Sequence, residues 1–166
     1  MKTASVLAGG LCLLSAVFCF SADDAAEETV FHKQVRETMS ASGFRRKGSH
    51  VWEILDKNGA KAGTLYLETV DDSRRKMGFG GTIEIAIVVN GKDEICGILI
   101  GRNQETPRFL KRVKAAGFLE KWNGMTLKKA AETDMDTVTR ATYSSSAIAF
   151  GVKQLAASLI GDDAEK

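Results

Sequence analysis

The sequence predicts an α+β fold: an antiparallel, hairpin-built sheet with flanking helices in a single domain. Three observations carry this. Two pairs of β-branched and aromatic runs each surround a short turn sequence, "DKNG" and "NGKD". On either side of those hairpins the apolar spacing changes from two to about 3.6 residues. The chain of 166 residues suffices for one ordinary core, and it contains no internal repeat or low-complexity stretch.

The first segment stands apart from that domain. "MKTASVLAGGLCLLSAVFCFSA" has a single Lys, a run of apolar and small residues, and small residues ahead of the acidic "DDAAEE". This is the layout of a secretory signal over residues 1–22, cleaved near Ser21 or Ala22. The apolar run over residues 4–20 is near the shortest length for a membrane span, so a retained anchor is the alternative. Neither Cys12 nor Cys19 follows a small residue, and no lipid anchor is expected. An exported, periplasmic or extracytoplasmic protein follows from either reading.

Residues 23–50 read as a helix and a loop. Phe31, Val35 and Met39 lie four apart and Gly43 follows, which predicts an amphipathic helix from Asp24 to Ala41. Residues 51–160 hold the domain proper, with a tail at 161–166. "HVWEILDKNGAKAGTLYLETV" gives the first hairpin. Thr82–Val89 and Glu94–Gly101 give the second, around an Asn-Gly turn; Ile83, Ile85 and Ile87 alternate with Glu84 and Ala86, so one face of that strand is expected to be buried. "TPRFLKRVKAAGF" then spaces Phe109, Leu110, Val113 and Ala116 as a helix that starts at Pro107 and stops at Gly117. The segment "LEKWNGMTLKKAAETDMD" is less regular. The last helix carries Ile148, Val152, Leu155 and Leu159 on one stripe, closed by Gly161.

Charge and cysteine usage exclude several function classes. The formal net charge is +2, and loss of the signal removes only Lys2, leaving +1. Such a balance gives no electrostatic case for nucleic acid or an anionic membrane. "RRK" at Arg45–Lys47 and at Arg74–Lys76 reads as solvated loop. Cys96 is the single cysteine outside the signal and closes no internal disulfide; in "EICGILI" it reads as a small buried hydrophobe. With only His32 and His50, no cluster has metal-ligand spacing, and a Ser-His-Asp relay has no specific support.

Three stretches remain as candidate binding chemistry. "GFGG" at Gly78–Gly81 lacks the Lys-Ser/Thr ending of a phosphate loop and precedes a strand, so it reads as a tight strand entry. Gly80 and Gly81 also let a flat ligand approach the backbone. "NQETPRFL" holds the only proline of the chain, with Thr106 expected as N-cap. "DMDTVTRATYSSSAI" crowds hydroxyls ahead of the last helix, placing Thr142 and Ser144 immediately before its positive end, where anions are favoured.

Together "GFGGTIEIAIVVNGKDEICGILIGRNQETP" and "DTVTRATYSSSAI" resemble the FMN-binding domain family, over roughly Val51 to Leu159. That family includes the extracytoplasmic flavin-carrying subunits of the Rnf and sodium-pumping NADH:quinone oxidoreductase complexes. Its pattern places a glycine-rich entry, a hairpin, an "ETP" step and Asp-x-x-Ser/Thr-Gly-Ala-Thr in this order. The resemblance implies that Thr142 accepts FMN through a phosphoester, with Asp136, Thr139 and Ala141 as the matching motif positions. Ser144 and Ser145 match the trailing hydroxyls, and Glu105, Thr106 and Pro107 match the element near the flavin. Arg140 departs from the pattern, standing where glycine is usual. The resemblance further implies a separate Mg-dependent flavin transferase as modifying partner and a membrane or periplasmic redox partner. The expected function is an exported carrier of covalent FMN that relays electrons, with no autonomous substrate turnover. A noncovalent flavin or ligand module of the same fold is the alternative, and a cofactor-free scaffold subunit is a third reading.

Overall fold

A computed structural model describes residues 29–70 and 81–163. The signal segment, Gly80 and Arg74–Lys76 lie outside the described residues. The elements, in chain order, are α1 (Val30–Met39), β1 (Gly43–Arg46), β2 (Val51–Leu55), β3 (Lys61–Val70), β4 (Ile83–Asn90) and β5 (Ile95–Asn103). There follow α2 (Pro107–Ala115), a 3₁₀ turn at Leu119–Trp122, α3 (Leu127–Glu132) and α4 (Thr142–Asp163). The five strands form one open antiparallel meander in the order β1-β2-β3-β4-β5. The expected α+β class and both hairpins are present.

Both hairpin turns use one device. Asp56 Oδ1 accepts the N–H groups of Asn58 and Ala60, and Asn90 Oδ1 accepts those of Lys92 and Glu94. In each turn the fourth residue is left-handed: Gly59 at φ 76° and Asp93 at φ 60°. Short Asx side chains stabilise such loops by replacing backbone partners. The second turn therefore differs from a two-residue Asn-Gly turn: Asn90 is the side-chain acceptor, and Asp93 rather than Gly91 takes positive φ.

Several sequence expectations change in three dimensions. Among the described residues the first helix runs only from Val30, and it stops at Met39, where Ser40 turns left-handed at φ 52°. Arg45 and Arg46 sit in the edge strand β1 instead of a loop: Gly43 pairs with Leu55 and Arg46 with Trp52. Their side chains stay in solvent, with Arg45 on Glu53 at 3.2 Å, which suits a charged edge.

Both faces of the sheet are covered. Ile83, Ile85, Ile87 and Val89 pack with Val113, Phe118, Trp122, Ile148, Val152 and Leu155 under α2, α3 and α4. On the other face, α1 sets Phe31 and Val35 on Ile54, Leu65, Ala86 and Val88. A single buried face for β4 therefore understates the packing, because α1 buries Ala86 and Val88 as well. Phe31 lies so close to Gly101 that a Cβ there would meet its ring at 2.5 Å, so no larger residue fits.

Cys96 is exposed, not buried. The β4–β5 register passes from Val88 opposite Gly97 to Val89 opposite Ile95, leaving Cys96 as the extra residue of a bulge. The bulge changes phase by one residue, which brings both Ile95 and Ile98 onto the helix-covered face and turns Cys96 out. Desolvation raises the thiol pKa above its ordinary value, so the thiol is protonated at neutral pH. The edge of β5 is closed by hydrogen bonds between Ile95 and the segment Gly124–Met125, both 2.8 Å. No helix among the described residues is long and apolar enough to cross a membrane.

Candidate functional site

The start of β4 and the end of β5 meet at Ile83 and Asn103, and the chain leaves the sheet there toward α2. Asn103 Oδ1 accepts the Glu105 N–H at 3.2 Å, and Gln104 N–H donates to Thr82 O at 3.3 Å. These bonds fix the step Gln104–Thr106 beside the first turn of α4. The Ser144 hydroxyl then donates to the Glu105 carboxylate, so two motifs separated by 39 residues are joined directly.

Between them lies a cleft of about 330 Å³ lined by Gln104, Glu105, Thr106, Phe109, Arg140, Ala141, Thr142, Tyr143 and Ser144. Phe109 and Tyr143 supply its aromatic surface, at 37% and 50% exposure. Thr142 is exposed at the first helical position of α4, behind the buried Ala141. The first backbone bond of that helix runs from Ser145 N to Ala141 O at 2.9 Å. Ala141 has no side-chain oxygen to cap the N–H groups of the first turn that follows it, which is the arrangement that favours an anion.

A four-residue turn, Val138–Ala141, delivers the chain to this helix, with Ala141 N–H on Val138 O at 2.9 Å. Its third residue, Arg140, has φ 63°. Glycine is the residue that takes such a conformation without a steric cost, which accounts for the glycine that the resemblance puts at this position. Arg140 takes the left-handed backbone and is one of the residues lining the cleft. Ser145 locks the turn from below: it is fully buried, its Oγ accepts the Val138 N–H at 2.9 Å and donates to Ala141 O at 2.9 Å.

Thr142 and Ser144 thus sit in the first turn of α4, not before the helix, and the helix continues through Gly161 to Asp163. Thr106 occupies the N-cap position of α2 with Pro107 at its start, but its side chain makes no capping bond. Phe109 leaves the buried stripe that its spacing suggests and faces the cleft, while Val113 is buried and Leu110 half-buried. Of the remaining sequence candidates, Asp136, Thr139, Pro107, Ser145 and Gly81 are outside the cleft lining. Gly81 supports it from behind: at φ 122°, a Cβ would fall 1.8 Å from the Gln104 side chain. Gln104, Phe109 and Tyr143 are the lining residues that sequence reasoning did not assign to a site.

Residues 78–157 match the family model described as FMN-binding domain. This segment is similar to FMN-binding domains. No curated protein matches the chain. The match starts just ahead of β4, so β1–β3 and α1 complete the sheet from outside it.

The residues present fit FMN. The matched segment lines one cleft with the exposed Thr142 hydroxyl at a helix N-terminus, with Arg140, and with the aromatic side chains of Phe109 and Tyr143. That donor set suits a phosphate ester joined to a flat apolar ring. Among the described residues no group of His, Cys, Asp and Glu is placed to hold a metal ion. A larger hollow of about 490 Å³ lies on the α1 side, around Trp52, Glu84 and Arg102. Its lining contains none of the residues of the "ETP" step or the hydroxyl run.

Proposed function

We propose that the protein is an exported electron-transfer flavoprotein that carries FMN covalently on Thr142 through a phosphoester. The observation that carries this reading is the exposed Thr142 hydroxyl at the cleft, on the first turn of α4, beside the Glu105–Phe109 step. FMN bound there supplies transfer of one or two electrons, and the chain supplies binding and orientation. Thr142 is the attachment point, Arg140 faces the phosphate, and Phe109 and Tyr143 present surface to the ring. Glu105 positions Ser144 and the helix end. A Mg-dependent flavin transferase would install the group after export by the segment 1–22, and a membrane or periplasmic redox partner would exchange electrons with it. A tether is useful outside the cytoplasm, where lost flavin is not readily replaced.

The test is the intact mass under denaturing conditions of wild type and Thr142→Ala, each exported together with a flavin transferase. Wild type is expected to gain the mass of one FMN phosphoester and the variant none. The same adduct on both overturns the assignment to Thr142. Arg140 in place of glycine favours a second reading, in which the cleft holds FMN noncovalently. Flavin that copurifies with the native protein but leaves on denaturation supports that reading instead.

A further inference from the structure

The near-neutral composition conceals an uneven charge distribution. Helix α2, "PRFLKRVKA", carries Arg108, Lys111, Arg112 and Lys114 and no acidic residue. Among the described residues none of these four side chains has an ion-pair partner, although Arg45, Lys47, Arg102 and Lys153 all do. Arg140, on the opposite wall of the cleft, is also without one. Phe109 of α2 and its N-cap residue Thr106 line the cleft, so the basic helix adjoins its rim. Arg108 and Arg112 are four apart and share one face, and Arg112 is three from the cleft-lining Phe109.

Helix stability does not account for this arrangement. Arg112 and Lys114 near the C-terminus complement the helix dipole, but Arg108 in the first turn opposes it. Four unpaired cations on nine residues also repel one another. A cost of this kind at the mouth of a binding cleft is what electrostatic steering requires, since a one-signed field raises encounter rates and selects partners of opposite charge.

We propose that the exposed side of α2 is the docking surface for an acidic redox protein. This rests on the flavoprotein reading above: a tethered flavin cannot diffuse to its partner, so the partner must come to the cleft mouth, and α2 adjoins its rim. The electron exchange itself is simple, with the reduced flavin giving up one electron as a ferric haem or an equivalent one-electron centre takes it.

The test uses the flavin-loaded protein with acidic cytochrome b5 as probe and basic cytochrome c as control. Two readouts are followed: complex formation by titration calorimetry, and haem reduction by the reduced protein in stopped flow. The variants are Arg108→Glu/Lys111→Glu and, at the opposite end of the sheet, Lys57→Glu/Lys61→Glu, which changes the net charge equally. All four residues are exposed and outside the cleft lining. Wild type is expected to bind and reduce the acidic protein at least about tenfold better at low than at high ionic strength. The α2 reversal should abolish most of that advantage and the distal reversal little of it. Equal losses in both variants, or none, overturn the proposal. So does the finding that α2 reversal releases the protein from phosphatidylglycerol vesicles while leaving cytochrome b5 binding unchanged, which assigns the surface to a membrane. Flavin content is measured separately by absorbance. A flavin-free protein refutes the flavin reading, while calorimetry still decides whether α2 binds an acidic protein.

Discussion

Replacing Ser145 with alanine isolates the device that holds the turn ahead of α4. The hydroxyl is fully buried, and it is the acceptor for Val138 N–H at 2.9 Å. Alanine leaves that amide without its partner, while Ala141 O keeps the backbone bond from Ser145 N–H at 2.9 Å. The loss is therefore dominated by one stranded donor, which costs about 1–3 kcal/mol. Removing a single oxygen opens little cavity, so no large packing loss adds to this. For a domain of this size each kcal/mol lowers Tm by about 2–4 °C, giving a drop of roughly 2–12 °C. Urea unfolding measures the stability change, and amide exchange at Val138 reports the turn directly. Exchange at Val138 should accelerate in the variant and, on the proposed covalent reading, attachment of FMN at Thr142 should slow because the acceptor is less well held. A stability change under about 0.5 kcal/mol with Val138 still protected would refute the assignment of the turn to Ser145.

Arg140→Gly should relieve a left-handed backbone that costs an L-residue about 1–2 kcal/mol, against roughly 0.5–1 kcal/mol of added chain entropy. A net gain of about 0.5–1 kcal/mol in urea denaturation is expected, and a net loss would show that the guanidinium earns more than the strain. If Arg140 also faces the FMN phosphate, the same variant should weaken binding of free FMN to the Thr142→Ala protein, measured by fluorescence quenching. His32 provides a pH test. Burial holds its pKa below the ordinary 6.5, and its Nδ1 accepts Thr29 N–H at 2.9 Å, which requires the neutral ring. The unfolded state then binds the extra proton, so the contribution is complete above about pH 6.5 and is lost as the pH falls below it. The stability difference between wild type and His32→Gln should narrow between pH 7 and 5, and a difference independent of pH would contradict this.

Periodicity made the hairpins, α2, and the buried stripe of α4 legible, because strand and helix spacing follow local geometry and which residues must leave water. The glycine entry, the "ETP" step and the hydroxyl run all fall within residues 78–157 that the family model matches, a shorter stretch than the Val51–Leu159 over which the resemblance was expected. The short edge strand β1 was not legible, since four residues with two arginines have no apolar alternation and are strand only because β2 offers them partners. Cys96 read as buried because a bulge, which shifts every following side chain by one position, leaves no mark in hydropathy. Phe109 and Tyr143 became cleft walls through the approach of α2 to the start of α4, a relation between elements far apart in the chain. The hydroxyl run itself was divided by the helix: the 100° turn per residue leaves Thr142 in solvent, gives Ser144 to Glu105, and buries Ser145 under the turn. Sequence determined which residues are candidates for the chemistry, through their types and order. Only tertiary structure decided which of them face the cleft, because direction in space depends on packing between segments that composition and spacing do not contain.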